Sequence, residues 1–172
     1  MSFERPYEGL KVLDLSQGVA GPYCAMLLAR QGADVIKVEP LEGDWSRTLV
    51  PAYGDNTAFS ITANIGKRSI AVDLKTDAGR NVIERLIPGA DIFIEGFRPG
   101  VIERLGFTYD RLAMINPGLI YVAVSGFGQT GPLSKKPAMD PVLQAFTGFL
   151  SENVGPDGVP HRSPVIINDM AT

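Results

Sequence analysis

Cysteine is almost absent from this sequence: Cys24 stands alone among 172 residues, so no internal disulfide framework holds the fold. It lies in an apolar, helix-like stretch and reads as a packing residue rather than a reactive thiol. Long apolar runs are missing too. None approaches the ~20 residues a bilayer-spanning helix needs. The N-terminal MSFERPYEGLKVL carries charges where a secretory signal keeps an unbroken apolar stretch. A net charge of -3 at pH 7, with no long run of either sign, leaves no electrostatic footprint for nucleic acid or an anionic membrane. There is no internal repeat and no low-complexity tract. These absences lead to the expectation of a soluble cytoplasmic protein without a metal, nucleic-acid or membrane partner.

What is present suits one domain of ordinary size: the chain is 45% hydrophobic and 20% charged, close to the globular average. KVLDL (residues 11 to 15) is a short buried strand, and SQGVAGPYCAMLLARQ leads into a helix with Pro22 at its first position and Gly32 just past its end. DVIKVE (34 to 39) is a second strand. Residues 40 to 66 form a long excursion with one helical turn around Asn56 to Ala63. Strands follow at SIAVD (69 to 73), DIFIE (91 to 95) and LIYVAVS (119 to 125), and the last is expected over Pro164 to Asn168. Helices are expected over Asp77 to Leu86, Pro99 to Leu105, Tyr109 to Ile115 and Asp140 to Leu150. Strands alternating with helices at this spacing predict an α/β, Rossmann-like domain over 1–172, with a mainly parallel sheet and helices on both faces. Ligands of such sheets bind beyond the carboxyl ends of the strands.

Two glycine loops invite a nucleotide reading. GFGQTG (126 to 131) matches G-x-G-x-x-G and follows a strand, but Pro132 and Pro137 bracket the next segment and forbid the helix whose N-terminus would hold a pyrophosphate. It is expected to be a flexible loop. In the first unit Gly18 and Gly21 precede a helix, and Glu39 ends the second strand at about the distance of a ribose-binding acid. The tight G-x-G is missing there. A nucleotide-containing ligand at this helix start and a loop shaped only for helix–strand packing both remain open.

Seven blocks, VLDLSQGVAGP, GADVIKVEP, EGDWSR, GKRSIAVDLK, ADIFIEGFRPGVIERLG, INPGLIYVAVSGFGQTGP and NDMAT, recur in this order in the family III CoA-transferases. The sequence resembles that family over essentially its whole length. The family includes formyl-CoA transferase, the carnitine and bile-acid CoA-transferases, and the α-methylacyl-CoA racemases. The resemblance implies that coenzyme A lies across the carboxyl edge, contacted by Gln17, Gly18 and Val19, by Val72 and Lys75, and by Gly96, Phe97, Arg98, Val101 and Arg104. Those cations and backbone N–H groups are what phosphates want.

Asp169 matches the family's catalytic aspartate. Its role there is to attack an acyl-CoA thioester and pass through an aspartyl-CoA thioester before a carboxylic acid acceptor displaces it. A strand-to-helix junction at that point is expected to favour the ionised carboxylate. The family commonly has asparagine where this chain has Gly96, which removes one amide contact.

Met139 takes the place that the resemblance assigns to the acyl-group border, and implies an apolar acyl chain. In the family's racemases that place holds a histidine, one of the two acid/base groups racemisation needs. Methionine cannot shuttle a proton, and His161, the only histidine, sits in the turn GVPHRSP. Transfer is therefore favoured over racemisation, and a non-catalytic nucleotide- or CoA-binding role is the third reading. The resemblance further implies a larger two-domain fold of which this chain is the N-terminal portion, weak or inactive alone, and an interlocked homodimer. Apolar faces left without partners would make the chain self-associate.

Overall fold

The computed structural model describes residues 5–49 and 51–172. The elements run β1 (Lys11–Asp14), α1 (Ala20–Arg30), β2 (Asp34–Glu39), β3 (Ala52–Tyr53), β4 (Asn56–Thr57), α2 (Ala58–Thr62), β5 (Arg68–Ala71), α3 (Asp77–Leu86), β6 (Ile92–Glu95), α4 (Val101–Leu105), α5 (Tyr109–Ile115), β7 (Ile120–Ala123), α6 (Asp140–Phe146), α7 (Phe149–Glu152) and α8 (Ile167–Ala171). A 3-10 turn at Trp45–Thr48 and the small β3–β4 hairpin occupy the excursion after β2.

The main sheet has the order β5-β2-β1-β6-β7, and every pairing in it is parallel. The chain builds outward from β1 to one side, then crosses back to place β6 and β7 on the other. A crevice therefore opens between the ends of β1 and β6, where neighbouring connections leave in opposite directions.

Successive strand residues point to opposite faces, and each face is covered. On one, Val12, Val35 and Ile94 pack with Ala25 of α1. On the other, Leu13 and Phe93 pack with Ile83, Ile102 and Leu112 of α3, α4 and α5. Phe93 is fully buried and stacks on Tyr121 at 5.2 Å. The Rossmann-like expectation agrees with this architecture.

Three local expectations need correction. Pro22 is not the first residue of α1: Val19 is the N-cap and Ala20 opens the helix. Proline remains tolerable because its missing N–H is among the orphans of a helix start. The helix expected over Asp140 to Leu150 is split. Gly148 takes φ 82°, a left-handed conformation that ends α6 and restarts the chain as α7.

The strand expected over Pro164 to Asn168 does not form. The side chain of Gln144 takes the backbone groups a ladder would have used, accepting from Ser163 N–H at 2.8 Å and donating to Val165 C=O at 3.2 Å. Val165 is exposed, and α8 begins at Ile167.

Candidate functional site

Parallel pairing brings the carboxyl ends of the strands to one edge, and two clefts open along it. The larger, about 420 Å³, is lined by Gln17, Val19, Gly96, Phe97, Arg98, Met139 and Asp169, with Trp45, Phe59, Lys136, Asp140 and Arg162 completing its wall. The smaller, about 260 Å³, is lined by Gln17, Glu39, Val72, Lys75, Phe97 and Val101. Gln17 and Phe97 belong to both clefts, so the two form one path along the sheet edge. Phe97 is fixed there by its N–H, which donates to the Glu95 carboxylate at 2.8 Å.

Among the residues expected from sequence, Gly18 and Arg104 line neither cleft. The peptide N–H of Gly18 is taken by Asp44, at 3.0 and 3.2 Å to its two oxygens, and the Trp45 ring lies against its α-carbon. Arg104 folds its guanidinium back toward Gly100.

Asp169 occupies the first turn of α8, two residues past its opening, so it is not the N-cap. Asp140 does the capping instead. Its Oδ1 accepts the backbone N–H of Asn168 at 2.7 Å and of Asp169 at 3.3 Å, and its Oδ2 accepts from Gln144 Nε2. A side chain at the start of α6 thus satisfies two donors at the start of α8, beside Asp169 in the cleft wall.

The expectation that this junction favours ionisation is reversed. Burial first, and the neighbouring Asp140 second, push the Asp169 carboxyl above its ordinary range. Helix-end polarity is weak in a helix of five residues whose first donors are already bonded to a carboxylate.

The glycine loop after β7 opens no helix, in agreement with the reading of its prolines. A Cβ at Gly126 would lie 2.0 Å from that of Ala138, so this glycine is required for close approach. The loop nonetheless supplies Ser134 and Lys136 to the larger cleft, a role its sequence did not announce.

Glu39 does not wait for a ribose. Arg47 donates to both its oxygens at 2.8 Å, and Asp44 N–H and Ser69 Oγ add further bonds. The Arg47 guanidinium foremost holds its carboxyl down at about 2. A dinucleotide site is thereby closed at its acidic end.

His161 is exposed and lies 3.2 Å from Asp157, as a turn residue should. Cys24 is half-buried, and burial pushes its thiol up, the opposite of a reactive thiolate. Among the described residues no group of three or more His, Cys, Asp or Glu could hold a metal ion, and no helix is long and apolar enough to cross a membrane.

Sequence reasoning missed Trp45, Phe59, Asp140, Lys136 and Arg162. Trp45 carried a signal as a lone tryptophan in a polar excursion, and Asp140 carried one through the resemblance, which pairs it with Met139.

Comparison with known proteins adds relatives to this geometry. The chain is 45% identical over 158 residues to the acetyl-CoA:oxalate CoA-transferase of Acetobacter aceti, covering 91% of this chain and 41% of that protein. It is 38% identical over 170 residues to the human succinyl-CoA:glutarate CoA-transferase, covering 98% and 39%. Among solved structures, a CAIB/BAIF family protein from Brucella suis matches with a TM-score of 0.90 at 38% identity, over 97% of this chain and 46% of that one. The hypothetical protein Rv3272 from Mycobacterium tuberculosis matches with a TM-score of 0.88 at 36% identity, over 98% and 47%. The chain therefore spans about two fifths of the length of these curated relatives. A family model matches residues 7–172, nearly all of the sequence, and the protein belongs to CoA-transferase family III.

Proposed function

We propose that this chain carries the CoA site and the nucleophilic carboxylate of an acyl-CoA:carboxylate CoA-transferase. The observation that supports it best is the continuity of the two clefts through Gln17 and Phe97, with Lys75 in the smaller and Asp169 in the larger. A long, thin thioester with an anionic nucleotide at one end and a reactive carbonyl at the other suits such a path. Its phosphates would meet Lys75, its pantetheine would cross Phe97, and its acyl carbon would reach Asp169.

The chemistry runs through Asp169 alone. A carboxylate oxygen attacks the thioester carbonyl, the C–S bond breaks, and CoA leaves as thiolate from a mixed anhydride. The thiolate then attacks the Asp169 carbonyl and releases the donor acid, leaving an aspartyl-CoA thioester. The acceptor carboxylate repeats the exchange in reverse, departs as its CoA thioester, and restores Asp169. Burial raises the basicity of this carboxylate, which sharpens it as a nucleophile once ionised.

Arg98, Lys136 and Arg162 on the same wall favour an anionic acceptor, while Met139 and Ile166 offer apolar surface for a carbon chain. With relatives named for oxalate and glutarate, a dicarboxylic acid is the acceptor we favour. The proposed location is cytoplasmic. The proposed assembly is a homodimer, which would cover exposed apolar side chains such as Val142 and Phe146.

Calorimetric titration with CoA, and separately with NAD, tests the site. CoA binding with no NAD binding is expected; NAD binding alone overturns the reading. Mass spectrometry after incubation with succinyl-CoA should then find an adduct on Asp169 that Asp169→Asn abolishes. Racemisation stays as a second reading only if deuterium from solvent enters the acyl α-carbon. Met139 offers no titratable group for that exchange.

A further inference from the structure

Beneath the loop Ser16–Val19 lies a chain of buried charges that the transfer chemistry does not use. Lys67 sits 2.7 Å from Asp14, Asp14 lies 4.0 Å from Lys37, and Lys37 lies 2.9 Å from Asp44. All four side chains are at least 99% buried. Two cations and two anions cancel, so the set is neutral. Burying charge is still a poor way to stabilise a sheet, since apolar side chains of similar volume commonly do as well or better. An explanation lies in what the charges grip.

Lys37 Nζ donates to the carbonyl of Ser16, and both oxygens of Asp44 accept the N–H of Gly18. The two peptide groups flanking Gln17 are thus held from below by one ion pair. Gly18 takes φ 82°, and a Cβ there would lie 2.2 Å from a ring carbon of Trp45, so the loop is also pressed from the side. Asp44 is itself fixed: its N–H donates to Glu39 at 2.9 Å, and its Oδ1 accepts the N–H of Ser46 at 2.8 Å. Gln17 is one of the two residues that join the clefts.

We infer that Lys37 and Asp44 are positioning residues, an ion pair that sets the backbone on both sides of Gln17 so that the seam between the two clefts accepts the CoA thioester. The role in CoA recognition rests on the function proposed above; the grip on the loop does not. The pair reaches the ligand only through the loop. It also ties the excursion after β2 to the ligand path, which gives that long segment a purpose beyond connection.

Two variants and one direct probe separate this role from plain stability. Asp44→Asn keeps the shape but leaves Lys37 without its close anion. The double variant Lys37→Met/Asp44→Leu removes both charges together, so no unpaired ion stays buried and it should melt above Asp44→Asn, while the backbone groups of Ser16, Gly18 and Ser46 lose their partners. CoA affinity should fall about 10-fold or more in the double variant, which lacks both the Lys37 donor to Ser16 and the Asp44 acceptor for Gly18, and by less in Asp44→Asn, which keeps Lys37 and one amide oxygen for Gly18. A double variant that folds and binds CoA like wild type overturns the inference.

Hydrogen exchange at the Gly18 amide, measured without ligand, tests the grip even if CoA does not bind. Strong protection in the wild-type chain supports it, and loss of protection in whichever variant folds confirms the cause. A Gly18 amide that exchanges freely in wild type overturns it. Wild-type failure to bind CoA with Gly18 protected would instead overturn the proposed function and leave the grip intact.

Discussion

The loop after β1 and the helix that carries Asp169 both line the larger cleft, yet they are secured by different means. The loop is continuous with a strand paired on both sides, and its backbone is bonded to buried charged side chains. The segment 163–169 has no such ladder. It hangs on Asp140 and Gln144, which bond to the backbone of Ser163, Val165, Asn168 and Asp169. Around it Val165, Ile167 and Met170 remain well exposed. In the function proposed above, ligand grip falls to the rigid flank, and the proposed nucleophile to a flank held by few bonds and open to covering by another surface. Such a segment opens at low free-energy cost.

Perturbing the shared core should erase the contrast. Phe93→Ala removes a fully buried ring from the centre of the sheet and should cost about 3–5 kcal/mol, read as a lower denaturation midpoint for the whole chain alike. A change in pH should act next most strongly, through β6, the strand paired beside β1. Glu95 ends β6, and burial foremost, with Glu103 adding, lifts its carboxyl from an ordinary 4.5 to about 7 against the pull of Phe97 N–H. Between those values the folded chain keeps a proton the unfolded chain has lost. The Glu95 contribution is therefore complete below about 4.5 and declines as pH rises through 7, by up to about 3 kcal/mol. Denaturation midpoints across pH 4 to 8 should flatten in Glu95→Gln.

The sparsely bonded flank should break alone when its cap is removed. Asp140→Ala leaves the N–H groups of Asn168 and Asp169 unsatisfied and should cost about 1–3 kcal/mol locally. Faster amide exchange confined to 163–172, with β1 and β6 unchanged, is the expected pattern; loosening of the whole sheet would refute a separate role for the two flanks. The smallest effect belongs to His161→Ala. That side chain is exposed and bonded only to Asp157 in its own turn, so stability should change by less than about 0.5 kcal/mol. Any larger loss would mean the turn braces the segment before Asp169.

The legible parts of the fold were those governed by near neighbours in the chain. The strand DVIKVE and the helices Asp77–Leu86 and Tyr109–Ile115 match their expected bounds, because period, N-cap threonine and terminating residues all lie within a few positions. VIIN near the end misled for the same reason: an apolar β-branched run looks like a strand until a distant Gln144 claims its backbone. The capping role of Asp140 was not legible, because nothing in MDPV shows that it caps a helix 28 residues later. Gly18 was expected to meet ligand and instead meets Asp44, 26 positions away.

By itself the sequence determined the α/β class, most element bounds, the family, and which residue types stand along the carboxyl edge. Hydrophobic period and local capping are short-range physics, and they survive being read one stretch at a time. The tertiary structure alone decided that Gln17 and Phe97 join two clefts, that Asp140 rather than Asp169 closes the last helix, and that Lys67, Asp14, Lys37 and Asp44 form one buried set. Each of those depends on polar groups that must find partners once water is excluded. Which partner is nearest is settled only when the chain has folded.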